Sequence, residues 1–307
     1  AFAYQLFVRE FGTNNLPDCS NMCHETSGTA LSKVIGIGKG TVKLEDFYDT
    51  DLVIIIGQNP GTNAPRMLSA LEKGKRNGAK IIAINPLPEA GLMGFQNPQE
   101  LSGMIGKGMK LADLYLPVKI NGDMALLKAL GKLLLDFERK SPGEVVDHAF
   151  IQQKTTGYEN YIAQFDALSL DKLADESGVS AALLYEAAQQ MAFKKRIIIC
   201  WGMGLTQQPN GVAMVREIVN LLLLKGSIGK PGAGVCPVRG HSNVQGNRTV
   251  LINEKASDEQ LERLEKHFGF TLSRQKGYSV VHAIEAMHAE KVKVLFCLGG
   301  NFLSATP

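Results

Sequence analysis

No stretch of this sequence approaches the ~20 consecutive apolar residues that a membrane-spanning helix requires. Its apolar runs, among them Leu52–Ile56, Ile197–Trp201 and Leu221–Leu224, are all far shorter than that. No charged segment followed by an apolar one opens the chain, so a secretory leader is not expected. Net charge is small: 33 Lys and Arg stand against 30 Asp and Glu, a balance of +3 that does not argue for a nucleic-acid partner. Only 5 cysteines occur, Cys19, Cys23, Cys200, Cys236 and Cys297, and no two have Cys-x-x-Cys spacing. An odd, scattered set in so long a chain argues against a disulfide framework and for a reducing compartment. It also speaks against a four-cysteine zinc or iron–sulfur site built from this chain alone. The expectation is a cytoplasmic protein without a membrane span.

What is present is enough apolar material for a sizeable core. With 307 residues, 45% hydrophobic and 21% charged, the chain lies far from disordered compositions and has the length of two domains or one large α/β unit. Short β-rich apolar runs each end in a Gly- or Asn-rich turn and give way to helical periodicity, the pattern of βα units in a parallel sheet. Asp51–Gly57 precedes Ala64, Met67, Leu68 and Leu71 on one helical face, and Lys80–Asn85 follows the Asn77-Gly78 helix stop. Arg196–Trp201 precedes Val212, Val215, Ile218, Val219, Leu222 and Leu223, and Lys293–Leu298 leads into Gly-Gly-Asn-Phe. Gly122-Asp123 opens a helix carrying Leu126, Leu127, Leu130, Leu133, Leu134 and Phe137, and helices also fit Tyr158–Phe165, Ser180–Phe193 and Ser257–Phe268. Two Gly-rich stretches, Phe11–Gly40 and Gly226–Arg248, read as long irregular loops, which in compact domains are commonly functional.

Turns such as Gly57-Gln58-Asn59-Pro60-Gly61-Thr62-Asn63 place small residues and backbone N–H groups at the carboxyl end of a strand, where open α/β sheets bind ligands. One such loop can be a plain chain reversal; three on one sheet point to a large nucleotide. The Gly-x-Gly-x-Gly string Gly36–Gly40 lacks a good strand before it and reads as packing or a turn. Cys23-His24 is the sharpest pair, since a thiolate is a soft metal ligand and an imidazole trades protons near neutrality. A Cys beside a His is commonly just buried, but these two lie in the polar segment Asp-Cys-Ser-Asn-Met-Cys-His-Glu-Thr-Ser-Gly. Arg239, flanked by Gly240, can present a planar guanidinium to a carboxylate or phosphate. His148, His267, His282 and His288 read as surface or packing residues, and Cys200 and Cys297 as core fillers within strands.

Taken together, these segments resemble the molybdenum or tungsten bis(molybdopterin guanine dinucleotide) oxidoreductases, in the branch that contains formate dehydrogenases. The resemblance rests on Gly-Thr-Asn-Asn at Gly12–Asn15, Cys23-His24, Asp51–Pro60, Lys75–Pro86, Ala125–Gly131, Trp201–Gln207 and Gly229–Gly246, and it extends over essentially the whole chain. It implies an α/β fold of two Rossmann-like, doubly wound units in discontinuous domains. A cofactor-binding domain over 19–248 would carry the metal-ligand loop, and 1–18 with 249–307 would form part of a second, dinucleotide-binding domain. The same resemblance implies that Cys23 binds the metal, His24 accepts the proton and Arg239 holds formate. Gly57, Asn59, Thr62, Asn63, Asn85, Pro86, Asp123, Gly202, Met203, Gly204, Gln207, His241, Gly300 and Asn301 would bind the cofactor.

Two positions depart from the formate dehydrogenase pattern: Glu25 stands where a small residue is expected, and His241 where a glutamine is. An extra carboxylate near the metal could repel formate or serve another small-molecule substrate. Because the chain opens at Ala1 rather than Met, it is expected to be a central piece, inactive alone, whose full-length form carries a [4Fe-4S] segment and meets an electron-transfer partner. The alternative is a nucleotide-binding module without redox activity, for which Cys23 is dispensable. A Cys–His hydrolase ranks last, because adjacent side chains on an extended chain point apart.

Overall fold

The computed structural model describes residues 1–106 and 108–305; Lys107, Thr306 and Pro307, the last two belonging to the expected second domain, lie outside the described residues. The apolar runs form the centre of a sheet. Its strands are β1 (Leu52–Ile56), β2 (Lys80–Ile84), β3 (Leu114–Leu116), β4 (Ile197–Trp201) and β5 (Gly234–Pro237), all parallel, in the order β3-β2-β1-β4-β5. Every residue of β1 and β4 is buried, as central parallel strands covered on both faces must be.

Side chains alternate between the faces, so each run feeds two cores. Leu52, Ile54, Ile56, Ile197, Ile199 and Trp201 pack under the helices Glu25–Ile35, Asp123–Lys140, Ala181–Ala192 and Gly211–Leu224. Val53, Ile55, Ile198 and Cys200 face Leu68 and Leu71 of the helix Pro65–Arg76. Burying each such aliphatic side chain is worth roughly 1.5–3 kcal/mol.

The chain proceeds outward from β1 to β2 and β3, then returns to place β4 on the other side of β1. The loops leaving β1 and β4 therefore diverge from neighbouring strand ends, the position where open parallel sheets receive ligands. Gly57 has φ +57°, and a Cβ there would come within 2.7 Å of the Leu205 nitrogen, so the two loops touch backbone to backbone. The Gly204 N–H donates to the Gly57 carbonyl at 3.0 Å.

Contacts divide the chain into two compact units, Cys23–Gly240, which holds the sheet, and Ala1–Met22 with His241–Pro307. Residues 19–22 and 241–248, expected with the larger unit, group with the smaller one. Within the smaller unit, the helix Phe2–Glu10 presents Arg9, 1% exposed, to Gln5, Asn14 and the carbonyls of Leu251 and Asn253. Asn14 in turn donates to the carbonyls of Ser273 and Gln275 at 2.8 and 2.7 Å, so the Gly-Thr-Asn-Asn segment ties the two chain segments of this unit together. The helix Asp258–Phe268 opens with a Ser257/Gln260 capping box and closes on Gly269.

Three expectations need correction. Lys293–Leu298 forms no strand: Val294 and Leu298 are 82% and 65% exposed, and Cys297 is exposed rather than a core filler. The described residues of its unit include no strand to pair with it, and a parallel strand needs a ladder and cover on both faces. Within Phe11–Gly40, Glu25–Ile35 is a helix ending on left-handed Gly36; its Ser, Thr and Gly residues mask an apolar face of Ala30, Leu31, Val34 and Ile35. Within Gly226–Arg248, Gly234–Pro237 is the edge strand β5.

Candidate active site

His24 is the organising residue, because both of its ring nitrogens are engaged and it is only 2% exposed. Its Nε2 lies 3.0 Å from the carbonyl oxygen of Val238, which can only accept, so Nε2 carries the proton. The Nδ1 must then accept, and the Ser27 hydroxyl donates to it at 2.9 Å. Ser27 Oγ also receives the indole N–H of Trp201 at 2.9 Å. Burial, assisted by the nearby Arg239 charge and opposed by the Val238 bond, holds the His24 pKa down at about 4. His24 is thus a neutral, fully bonded ring near pH 7.

This arrangement lays residues 23–25 alongside 238–240. The Gly240 N–H bonds to the Cys23 sulfur, and the charge of Arg239 acts on both Cys23 and Glu25. Burial pushes the Cys23 thiol up, while Arg239 and the Gly240 N–H pull it down. Burial likewise lowers the half-buried Arg239, and Cys23 and Glu25 oppose that shift. The Arg239 guanidinium also donates to the Gly38 carbonyl at 3.4 Å.

The loop after β4 carries the other half of the cysteine's setting. Thr206 Oγ1 and Gln207 Nε2 each donate to the Cys23 carbonyl at 3.2 Å, and Met203 Sδ lies 3.9 Å from the Cys23 sulfur. Gly204 joins this loop to Gly57, and Gln208 reaches from the Gly204 carbonyl at 2.6 Å to Asp123 at 2.9 Å. Burial raises the Asp123 pKa and the Gln208 bond lowers it. On the β1 side, the Asn85 side-chain amide exchanges two 3.1 Å hydrogen bonds with the Gln58 backbone, and the Asn85 backbone carbonyl receives the Tyr115 hydroxyl at 2.7 Å. Asn59 caps the turn Pro60–Asn63 and bonds to Glu89, while Thr62, Asn63 and Pro86 are exposed.

The structure therefore brings Cys23, His24, Arg239, Met203 and Gln207 into one cluster, which adjoins Gly57, Gly202 and Gly204 at the ends of β1 and β4. Asn85 braces the β1 loop and Asp123 the β4 loop. His241, Gly300 and Asn301 belong to the other unit and are exposed. Sequence reading missed Ser27, Trp201 and Gly38. The first two are hydrogen-bonded partners 174 positions apart, a pairing with no local pattern. Gly38 belongs to a string that reads as a plain turn.

Residues 1–306 match the family model described as Molybdopterin oxidoreductase. The chain belongs to the molybdopterin oxidoreductase family. Protein YdeP of Escherichia coli (strain K12) is 49% identical over 319 residues, covering 100% of this chain and 41% of that protein. Formate dehydrogenase H of the same strain is 33% identical over 246 residues, covering 80% of this chain and 31% of that protein. The chain thus lies in the branch these two share and spans well under half the length of either. Among solved structures, acetylene hydratase from Pelobacter acetylenicus aligns with a TM-score of 0.60 at 19% identity, over 86% of this chain and 33% of that one, a likeness of fold. Among the described residues no helix is long and apolar enough to cross a membrane, and no group of three or more His, Cys, Asp or Glu gathers to hold a metal ion.

Proposed function

We propose that the intact protein is a molybdenum or tungsten bis(molybdopterin guanine dinucleotide) oxidoreductase that removes two electrons from formate or a similarly small anion. One observation carries the reading: a partly exposed thiol and a guanidinium act on each other beside the two touching strand-end loops. The donor set fits such a group. Cys23 is a single soft donor with a thioether 3.9 Å away, so the metal would arrive on its own organic ligand. The loops after β1 and β4 leave no space for side chains at Gly57 and Gly204, and the buried Gln58 and Gln208 side-chain oxygens lack protein partners.

When bound, the metal cofactor supplies the two-electron step. Cys23 would hold the metal, Arg239 would orient the substrate carboxylate, and Glu25 would moderate the charge that the anion meets. Gly57, Asn59, Thr62, Asn63, Gly202, Met203, Gly204 and Gln207 would line one dinucleotide, with Asn85, Pro86 and Asp123 supporting those loops. His241, Gly300 and Asn301 would serve the second half of the cofactor in a second Rossmann-like unit whose strands would come from other parts of the intact protein. The resemblance gives the substrate proton to His24; here that requires breaking the Ser27 or the Val238 bond. A [4Fe-4S] cluster would belong to other parts of the intact protein, which would pass electrons to a separate partner in the cytoplasm.

The test is molybdenum, tungsten and guanine-nucleotide analysis of the intact protein together with viologen-coupled formate oxidation. Stoichiometric metal and turnover support the reading. A fully loaded protein that ignores formate assigns another substrate, and absence of metal and nucleotide refutes it in favour of a nucleotide-binding module without redox chemistry.

A further inference from the structure

In the relay Trp201–Ser27–His24–Val238 beside the cysteine, Ser27 and Trp201 have no part in the chemistry assigned above, and both ring nitrogens of His24 are bonded. Trp201 Nε1–H donates to Ser27, Ser27 donates to His24 Nδ1, and His24 Nε2–H donates to the Val238 carbonyl, at 2.9, 2.9 and 3.0 Å. Each link forces the next. The Val238 carbonyl can only accept, so Nε2 carries the proton and Nδ1 must accept; the Ser27 proton therefore goes to Nδ1, and the Ser27 oxygen accepts from the indole, which can only donate. Trp201 is itself held: it is the last residue of β4, fully buried, with its carbonyl receiving the Val238 N–H at 2.9 Å. Val238 is therefore gripped at both its N–H and its C=O, by the strand and by the histidine. The next two residues are Arg239 and Gly240, the groups that act on the Cys23 sulfur.

We infer that Ser27 is a positioning residue: by donating to His24 it fixes the tautomer whose bond to Val238 aims the Arg239 guanidinium and the Gly240 N–H at the sulfur of Cys23. On this view, His24 acts through the backbone of the 238–240 turn rather than by collecting a proton. The inference rests on the proposed anion-binding role of Arg239, but it concerns the protein alone and can be read without the cofactor.

A probe that resembles the substrate and reacts at Cys23 reads it directly. Iodoacetate and iodoacetamide alkylate thiols by the same displacement of iodide, and only the first carries a carboxylate for Arg239 to steer. The experiment uses the intact protein in its cofactor-free form at one fixed pH. Alkylation at Cys23 is followed by peptide mass spectrometry, and thermal melting confirms that each variant is folded. The iodoacetate-to-iodoacetamide rate ratio is expected to fall about tenfold in Arg239→Met, the low end of electrostatic steering, and by a similar factor in Ser27→Ala. Trp201→Phe, which removes only the N–H, gives an intermediate fall, and Ser27→Thr, which keeps the hydroxyl, recovers at least half of the loss. In loaded enzyme, Ser27→Ala raises the formate KM about tenfold while kcat changes less than about threefold, the pattern of lost uniform binding.

A ratio that falls in Arg239→Met but stays at the wild-type value in both Ser27→Ala and Trp201→Phe overturns the relay and leaves the functional reading intact. A ratio insensitive to Arg239→Met overturns the inference at its premise. If the ratios behave as expected but the intact protein contains neither metal nor guanine nucleotide, the relay stands and the redox reading fails.

Discussion

At Asn85, one buried amide holds the loop after β1 by both of its ends, accepting from the Gln58 N–H and donating to the Gln58 carbonyl. Asn85→Ala leaves that buried backbone pair unsatisfied, at about 1–3 kcal/mol per group. The expected outcome is a lowered denaturation midpoint and weaker cofactor retention with unchanged secondary structure, checked by circular dichroism and nucleotide analysis. His24 allows a sharper comparison. Glutamine retains an N–H that can reach Val238 but cannot serve as a base near neutrality, so His24→Gln is expected to keep kcat for formate within about tenfold, the equivalent of losing one hydrogen bond. A loss of general-base catalysis would instead cost about 10²–10⁴. The site was half legible at this scale. Cys23, His24 and Arg239 announce themselves by residue type in polar, glycine-rich surroundings. Ser27 and Trp201 do not, because a serine in a helix and a tryptophan in a strand are ordinary until the fold opposes them.

At the scale of elements, the sheet was legible wherever a run was long enough to bury both faces. β1, β2 and β4 are five-residue runs and read plainly, whereas β3 and β5 are Leu-Tyr-Leu and Gly-Val-Cys-Pro, too short to alternate and completed only by neighbours. Val294–Leu298 is the converse case, since strand-like composition without a partner strand yields no ladder. Ile54, 1% exposed at the centre of β1, is expected to cost about 2–5 kcal/mol when cut to alanine, read as a shift in urea midpoint.

Lys225, just after the helix Gly211–Leu224, makes a pH prediction. Its buried ammonium donates to the carbonyls of Val145 and Ala192, the latter closing the helix Ala181–Ala192. Burial pulls its pKa down to about 8, against the favourable charges of Glu138 and Asp147. Between about 8 and the unfolded value of about 10.4, the unfolded chain binds more protons at this group than the folded one, so its contribution to stability rises with pH across that window. Chemical denaturation of Lys225→Met is expected to show a flatter stability slope there than wild type, by up to about 3 kcal/mol over the window, and identical slopes contradict the assignment.

In the molecule as a whole, two backbones touch where the loops of β1 and β4 meet. A Cβ on Gly204 would lie 2.7 Å from the Gly57 carbonyl oxygen, so Gly204→Val must part the loops of β1 and β4. The intact variant is expected to fold and to lose its guanine nucleotide, with turnover falling in proportion. The 307-residue chain alone is expected to show no formate turnover, because it spans 41% of YdeP and 31% of formate dehydrogenase H and the electron path would lie elsewhere. X-ray absorption at the metal edge of the intact protein and its Cys23→Ser variant decides whether the sulfur of Cys23 reaches the metal. The variant is expected to retain metal and guanine nucleotide while its first coordination shell loses one sulfur. A metal shell identical in both proteins would contradict that ligation.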